Sequence, residues 1–585
     1  MMHRLARKLA WPLLLAATLP ACTTVPQAGP PVAMPTRPPV AEPAPASSGR
    51  GMVSAADPRA AAAGAAILRQ GGSAVDAAIA TMLALTVVEP QSSGIGGGGF
   101  LVMASEQGQV ETLDGRETAP AAATPEWFLG PDGKPVPFPQ AVKSGLSIGV
   151  PGNLRLAEEA HRRHGKLAWQ ALFQPAIALA RDGFAISPRF REFLANARDR
   201  AALEPTGAAL FYDAAGQPLA TGTLVRNPEL AQTLERIATR GADSFYTGTA
   251  ATALAAEVAA FTPRPAGMTA ADLAAYRAKQ REPLCGQYRV YRICGMGPPS
   301  SGATTVYAIL KQLERFDLGA LGPRSATSWH LFAESQRLAF ADREAYLADT
   351  DFVAVPAHGL MDPAYLAARG ALISADRRMA QAVAGTPAGI AIAGPDGDEP
   401  AEHGTSHFAV ADGDGAVASY TSTVEGPFGS GRMFGGFYLN NELTDFSLNP
   451  LKNGVAVANR VQGGKRPRSS MAPSVVFGPD GKVVLVIGAA GGATIPVQVA
   501  KALIGVLDFG LSAQDAIALP GLFDPDGTIM LEPDSPLLAM KPQLEALGHT
   551  VMVRAMPFKA NAVQLTPGGW TGAADPRSEG AAVPE

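Results

Sequence analysis

The chain has 585 residues, 47% hydrophobic and 17% charged. That supplies ample material for a core and excludes global disorder. Lys+Arg number 48 against 52 Asp+Glu, a net charge of -4, so the basic excess that nucleic-acid binding needs is missing. The three Cys exclude a disulfide-built scaffold and a Cys-rich zinc module.

His3, Arg4, Arg7 and Lys8 form a positive start, and an apolar run follows from Leu9 to Leu19. The run is about half of what a bilayer span needs, so residues 1–21 read as a signal peptide. It ends Leu19-Pro20-Ala21-Cys22. Small residues before a Cys resemble a bacterial lipobox, with Cys22 as the lipidated first residue of the mature chain. An ordinary signal peptide with an incidental Cys is the other reading, because Pro20 is unusual in a lipobox. Thr23 after the Cys resembles lipoproteins of the outer membrane. The expectation is an exported, periplasmic protein held to the membrane by a lipid anchor alone. Residues 22–50 carry prolines from Pro26 to Pro45 and read as a stiff tether, with the folded part starting near Gly51. Export implies an oxidising compartment. Cys285 and Cys294 flank Gly286 to Ile293, which reads as strand. A disulfide across a hairpin and two buried thiols both remain open.

Ala60 to Leu68 and Ala74 to Val88 are apolar at helical spacing. Phe100 to Ala104 and Gln109 to Leu113 read as a hairpin. Helical patterns follow at Leu154 to His164, Trp169 to Ala180, Pro228 to Thr239, Ala251 to Phe261, Ala270 to Lys279, Thr304 to Phe316 and Trp329 to Leu347. Residues 379 to 404 are loop-like. After that the texture changes. His407 to Ala411 and Val417 to Ser422 flank Asp412-Gly413-Asp414-Gly415, a strong hairpin signal. Ser474 to Phe477 and Val483 to Ile487 repeat it, helices fit Ile495 to Leu507 and Leu537 to Leu547, and a last hairpin fits Ala562 to Leu565 with Trp570 to Ala574. Strands near both ends with helices between suggest stacked sheets covered by helices.

Gly94 to Gly99 matches G-x-G-x-x-G, but it enters a strand rather than a helix, so a close approach of backbones fits better than a dinucleotide. His403 and His407 bracket a loop-to-strand junction and make a poor metal pair; no metal is expected. Gly404-Thr405-Ser406-His407 is more informative. A Thr hydroxyl needs an adjacent base, and a Thr at a chain start carries one in its own α-amine. An internal Thr reaches that state by attacking the carbonyl before it, which the side-chain-free Gly404 eases. Gly491-Gly492 follows a strand, and its N–H groups suit an oxyanion hole. Ser469-Ser470 follows Lys465-Arg466-Pro467-Arg468, which reads either as a carboxylate site or as a solvated basic loop.

The segments Gly71 to Ala78, Gly94 to Phe100, Asp114-Gly115-Arg116-Glu117, Pro298 to Gly302, Thr405-Ser406-His407, Leu439 to Glu442 with Asp445-Phe446, Arg466 to Met471, Gly491-Gly492 and Asp575-Pro576-Arg577 stand in one order. Together they resemble the γ-glutamyltransferases over about 60 to 578. The resemblance implies an α+β N-terminal-nucleophile hydrolase fold, a four-layer αββα sandwich. It implies a precursor that cuts itself between Gly404 and Thr405 into a large subunit, 51–404, and a small one, 405–585, which stay together as a heterodimer. Thr405 would be the nucleophile and Thr423 would orient it. Gly491 and Gly492 would hold the oxyanion. Arg116, Ser469 and Ser470 would take the donor α-carboxylate, and Asp445 and Glu442 its α-ammonium. The implied donor is glutathione or a related γ-glutamyl compound, the acceptor is water, an amino acid or a peptide, and no cofactor is needed.

Three positions depart from familiar members. Glu425 stands where those carry Asn. The stretch between Asp445 and Ser469 is short and lacks the lid Tyr of some members. Ser406 replaces a second Thr. The alternatives are a glutaryl or cephalosporin acylase of the same family and a non-catalytic binding lipoprotein. Retained Asp445 and Glu442 favour a glutamyl donor.

Overall fold

Strand-forming segments from the two ends of the chain pair with each other and with its middle. The computed structural model describes residues 48–389, 397 and 404–585. Cys22, the signal-peptide reading, nearly all of the tether and His403 lie outside the described residues. The elements that build the body are β1 (Ser48–Gly49), β2 (Met52–Ala55), α1 (Pro58–Arg69), α2 (Ala74–Val88), β3 (Gly98–Ala104), β4 (Val110–Asp114), α3 (Asn153–His164) and α4 (Trp169–Asp182). After them come β5 (Lys279–Arg281), β6 (Leu284–Tyr288), β7 (Tyr291–Gly295), α5 (Gly302–Leu313), α6 (Ala326–Tyr346), β8 (Gly404–Ala411) and β9 (Val417–Glu425). The chain closes with β10 (Ser474–Phe477), β11 (Val483–Ala490), α7 (Ile495–Leu507), β12 (Lys559–Thr566), β13 (Gly569–Ala574) and β14 (Ala581–Pro584).

These strands form two seven-stranded sheets, ordered β14-β2-β8-β9-β3-β4-β5 and β1-β13-β12-β11-β10-β7-β6. Every ladder in both is antiparallel. Side chains alternate along a strand, so β8 serves two cores. Phe408 and Val410 pack with α1, α2, α3 and α4. Ala409 and Ala411 pack with the second sheet, whose other neighbours are α5, α6 and α7. The result is helix, sheet, sheet, helix, the αββα sandwich expected. Every residue of β8 and β9 is buried, which explains why their Ser and Thr hydroxyls are all engaged in contacts with the protein rather than with water.

Local chemistry sets the element ends. Asp57 caps α1, with Pro58 in its first turn, and Ser73 and Asp76 form a capping box on α2. All of α2 is buried, so its Ala-rich surface has no polar face.

Three expectations need correction. The helix from Ala270 stops at Ala275, and Lys279–Arg281 forms β5 on the edge of the first sheet. Tyr276 turns extended there and its hydroxyl donates to the Arg116 carbonyl at 2.7 Å. Gly286 to Ile293 is not one strand but the hairpin β6–β7, turning at Arg289 with φ 53°. Cys285 and Cys294 face each other across it and are joined in a disulfide, with Cα atoms 4.1 Å apart. Leu537 to Leu547 splits into a 3-10 turn at Pro536–Met540 and a helix at Lys541–Ala546, as Pro542 requires. The terminal strand β14, which pairs with β2, lay outside the sequence expectations. No helix among the described residues is long and apolar enough to cross a membrane.

Candidate active site

Gly404 opens β8 directly opposite Glu425, the last residue of β9, and the next paired residues are Ser406 and Ser422. Thr405 therefore faces both Thr423 and Val424 across a bulge, a feature that re-aims side chains at functional sites. The extra residue is accommodated elsewhere: Val424 N–H donates to Ser92 O at 3.2 Å and Val424 O accepts from Asn441 N–H at 3.1 Å.

At the bulge two hydroxyls converge on one carbonyl. Thr423 Oγ1 donates to Gly404 O at 2.5 Å, and Thr405 Oγ1 lies 2.6 Å from the same oxygen. The two hydroxyls are 3.3 Å apart, and Thr423 Oγ1 also accepts from Glu425 N–H at 2.8 Å. Each hydroxyl has one proton. That of Thr423 is committed to the carbonyl, whereas that of Thr405 can point to the carbonyl or to Thr423. A Cβ on Gly404 would stand 2.5 Å from Glu425 O, so only glycine fits. Thr405 is buried, at 6% exposure.

Gly491 and Gly492 follow β11 and lead through a 3-10 turn, Gly492–Thr494, into α7. Thr494 Oγ1 donates to Gly491 O at 2.8 Å. Among the described residues the turn and cap hydrogen bonds leave both glycine N–H groups without an acceptor. β11 runs beneath β8 and β9: the His407 ring lies against Gly488, and Ser419 Oγ donates to Ile487 O at 3.2 Å. His407 Nδ1 is 2.8 Å from Thr421 Oγ1, and burial pushes its pKa down to about 3, so the ring is neutral. No group of three or more His, Cys, Asp or Glu among the described residues is placed to hold a metal.

A second cluster adjoins the first through Glu425 and Asn441. Asn441 Nδ2 donates to Glu425 Oε2, and Asn441 Oδ1 accepts from Gly426 N–H at 2.9 Å. The following 3-10 turn, Glu442–Asp445, presents both of its acids to Arg116. The guanidinium donates through Nη1 to Glu442 and through Nη2 to Asp445, and it also donates to Pro467 O at 3.3 Å and Arg468 O at 2.9 Å. Glu117 lies alongside, fully buried, and burial raises its pKa to about 8 against the pull of Arg116. Burial likewise raises Glu442 well above the usual range, with Glu117 and Glu425 adding to the effect.

The sequence profile of the γ-glutamyltranspeptidase family matches residues 60–585. The chain belongs to the γ-glutamyltranspeptidase family. A glutathione hydrolase proenzyme of Bacillus subtilis (strain 168) is 37% identical over 547 residues, 91% of each chain. An acylase proenzyme of Pseudomonas sp. (strain SE83) is 36% identical over 550 residues, 92% of this chain and 94% of its own. Among solved structures, a cephalosporin acylase from Bacillus halodurans superposes with TM-score 0.81 at 26% identity, over 94% of this chain and 99% of the other. The fold is that of the N-terminal-nucleophile hydrolases.

Within this family fold the anticipated residues gather in two adjoining groups, Gly404, Thr405 and Thr423 in one and Arg116, Glu442, Asp445 and Glu425 in the other. The solvated reading of the basic loop needs correction. Lys465, Arg466 and Arg468 are buried and held by protein partners. Lys465 Nζ donates to Ala458 O at 2.5 Å, Arg466 meets Asp114 at 3.4 Å, and Arg468 pairs with Glu344. Ser469 Oγ accepts from Met471 N–H at 3.2 Å, and Ser470 Oγ accepts from Arg343 Nη2 at 2.7 Å. Ser469 directly follows Arg468, whose carbonyl helps hold Arg116, and Ser470 comes next. Sequence reasoning gave Glu117 no role, although it directly follows Arg116. It also passed over Asn441 and Arg343, whose partners are distant in the chain.

Proposed function

We propose that this chain is a γ-glutamyl hydrolase and transferase that matures by cutting itself before Thr405. The observation that carries the reading is the convergence of the Thr405 and Thr423 hydroxyls on the Gly404 carbonyl. Thr405 Oγ1 adds to the Gly404 carbonyl carbon and its proton passes toward Thr423. Thr423 donates to the oxygen that gains charge. The C–N bond breaks, the nitrogen takes a proton, and an ester remains. Water then splits the ester into a Gly404 carboxylate and a free Thr405 with its α-amine.

In turnover the amine accepts the proton of Thr405 Oγ1 as that oxygen attacks the γ-carbonyl of the donor. The N–H groups of Gly491 and Gly492 stabilise the tetrahedral oxyanion, and the amine returns its proton to the departing amine. Water or an acceptor amine then resolves the γ-glutamyl ester. The donor is glutathione or a related compound, and export to the periplasm places the enzyme where it meets such compounds.

Charge balance supports a glutamyl donor. Arg116 is paired with Glu442 and Asp445. A donor with an α-carboxylate and an α-ammonium exchanges those pairs for two new ones: its carboxylate takes Arg116 and its ammonium takes the acids. A glutaryl group would take Arg116 and leave the acids unmatched, which is costly when they are buried. The acylase reading draws on the similarity to acylases, and this balance weighs against it.

Intact mass under denaturing conditions tests the reading. Two masses that break between Gly404 and Thr405 are expected for the wild type and one mass for Thr405→Ala. Cleavage in Thr405→Ala refutes the nucleophile. Release rates from γ-glutamyl and glutaryl anilides then separate the donors, and faster release from the glutaryl compound would favour the acylase.

A further inference from the structure

A buried charge pair beside the nucleophile is used by none of the steps above. Ser406 Oγ donates to Glu89 Oε2 at 2.5 Å. Lys559 Nζ donates to the two Glu89 oxygens at 3.2 and 3.1 Å and to Ser406 Oγ at 3.4 Å. The three residues are at most 3% exposed. They come from three elements: Glu89 ends α2, Ser406 lies on β8, and Lys559 opens β12.

The pair also reaches the glycine turn. Lys559 is paired with Ala490, the residue before Gly491. Its N–H donates to Gln498 Oε1 at 2.9 Å. Gln498 Nε2 donates to Ala490 O at 2.7 Å and to Thr494 Oγ1 at 2.9 Å, and Thr494 Oγ1 donates to Gly491 O. One unbroken set of contacts therefore joins the residue after Thr405 to the turn that would receive the oxyanion.

Stability alone does not explain this arrangement. Desolvation of a buried Lys and Glu offsets most of their attraction, and an apolar pair of similar size would serve a core as well. Burial pulls the Lys559 ammonium below the usual lysine range, with Glu89 opposing it. Position is the better account. When the bond between Gly404 and Thr405 is cut, Thr405 loses its chain neighbour, and chain ends fray unless they are tied down. Ser406 is then the first residue of β8 held by side chains on both sides.

We propose that Glu89 and Lys559 are positioning residues that clamp Ser406 against the Gly491–Gly492 turn, so that Thr405 keeps its spacing from the oxyanion donors during cleavage and turnover. The inference rests on Thr405 being the nucleophile. It assigns Ser406 a hydroxyl role that the familiar second Thr would also fill.

The test compares Ser406→Ala, Ser406→Thr and the double variant Glu89→Gln with Lys559→Met in the purified full chain. The double variant leaves no orphaned charge and so guards against simple misfolding. Displacement of a reacting group by about 1 Å costs on the order of 100-fold in rate. Ser406→Ala and the double variant are expected to self-cleave at least about tenfold more slowly. Their cleaved fractions should show a kcat reduced to match, with KM for a γ-glutamyl anilide unchanged. Ser406→Thr should restore both rates. A purely structural role would lower the melting temperature and leave kcat of the folded, cleaved fraction intact, and that result overturns the proposal. So does a double variant that matures and turns over at the wild-type rate. Failure of the underlying reading looks different, since Thr405→Ala would then still be cut.

Discussion

Glu117 is an acid held where an acid is expensive. Neither of its carboxyl oxygens has a hydrogen-bond donor among the described residues, and Glu442 Oε2 is in the same position. Both acids ionised would leave these oxygens facing one another's charge. One proton shared between the carboxyls supplies the missing donor, which fits the raised pKa of each. The cluster then carries less negative charge than a count of Glu117, Glu425, Glu442 and Asp445 suggests. A consequence follows for pH. The Glu117 pKa is raised from 4.5 to about 8 in the folded chain, so between those values the folded state holds a proton that the unfolded state has lost. The stabilising contribution is full below the lower value and disappears as pH rises through the upper one, at up to about 1.4 kcal/mol per pH unit. Melting temperatures measured from pH 5 to pH 8 should therefore fall less steeply for Glu117→Gln than for the wild type. Equal slopes would mean that Glu117 is ionised throughout and that the shared proton does not exist.

Strands β3 and β9 approach each other more closely than side chains permit, and Gly97 is where the approach is tightest. A Cβ there would stand 1.9 Å from the Thr423 carbonyl oxygen. Gly97 O also accepts from Gly152 N–H at 2.9 Å and Asn153 N–H at 3.0 Å, so the loop before β3 cannot simply retreat. Gly97→Ala must therefore push β9, and with it the Thr423 hydroxyl that reaches Gly404. Overpacking of this kind costs about 1–3 kcal/mol. The expected outcome is a folded chain with a lowered melting temperature that accumulates uncut on a denaturing gel. Normal maturation of Gly97→Ala would show that the spacing of the two strands is not what readies the Gly404 carbonyl. The glycine run was legible as a site of close approach because it entered a strand. So were α2 and α7, whose ends are marked by Ser73 and by Pro496 in the first turn. The β6–β7 hairpin was legible only as one of two readings of Cys285 and Cys294, because Arg289 gives no turn signal inside an aromatic and β-branched run. The role of residues 465–468 was equally hidden: a sequence displays their charges but not Asp114 and Glu344, the acids that fold onto them from far along the chain. The candidate residues of the site were legible through motif order, yet the pairing of Arg116 with Glu442 and Asp445 was not, since those acids lie 326 and 329 residues further along the chain.

Across the described residues the parts of the chain before and after the Gly404–Thr405 bond are woven rather than docked. In the first sheet β8, β9 and β14 come from residue 404 onward and β2, β3, β4 and β5 from before it, and β8 lies between β2 and β9. In the second sheet β10 to β13 come from the later part, with β1 on one edge and the β7–β6 hairpin on the other. Both main cores draw on both parts: Leu101 and Val410 share one, and Ile309 and Ile487 share the other. A cut between Gly404 and Thr405 therefore removes one bond and none of these ladders. Its consequence is chemical, a new amine at Thr405, and not a separation. The cut protein should elute as a single species from a sizing column in native buffer, split into two bands only in denaturant, and melt in one transition. Residues 405–585 made alone should lack a cooperative melt, because β8 and β9 would each lose a ladder partner, β2 and β3, and one face of each would lose α1 and α2. An isolated 405–585 segment that melts sharply would show that the small part carries a core of its own, and the interleaving would then be a docking of two preformed bodies.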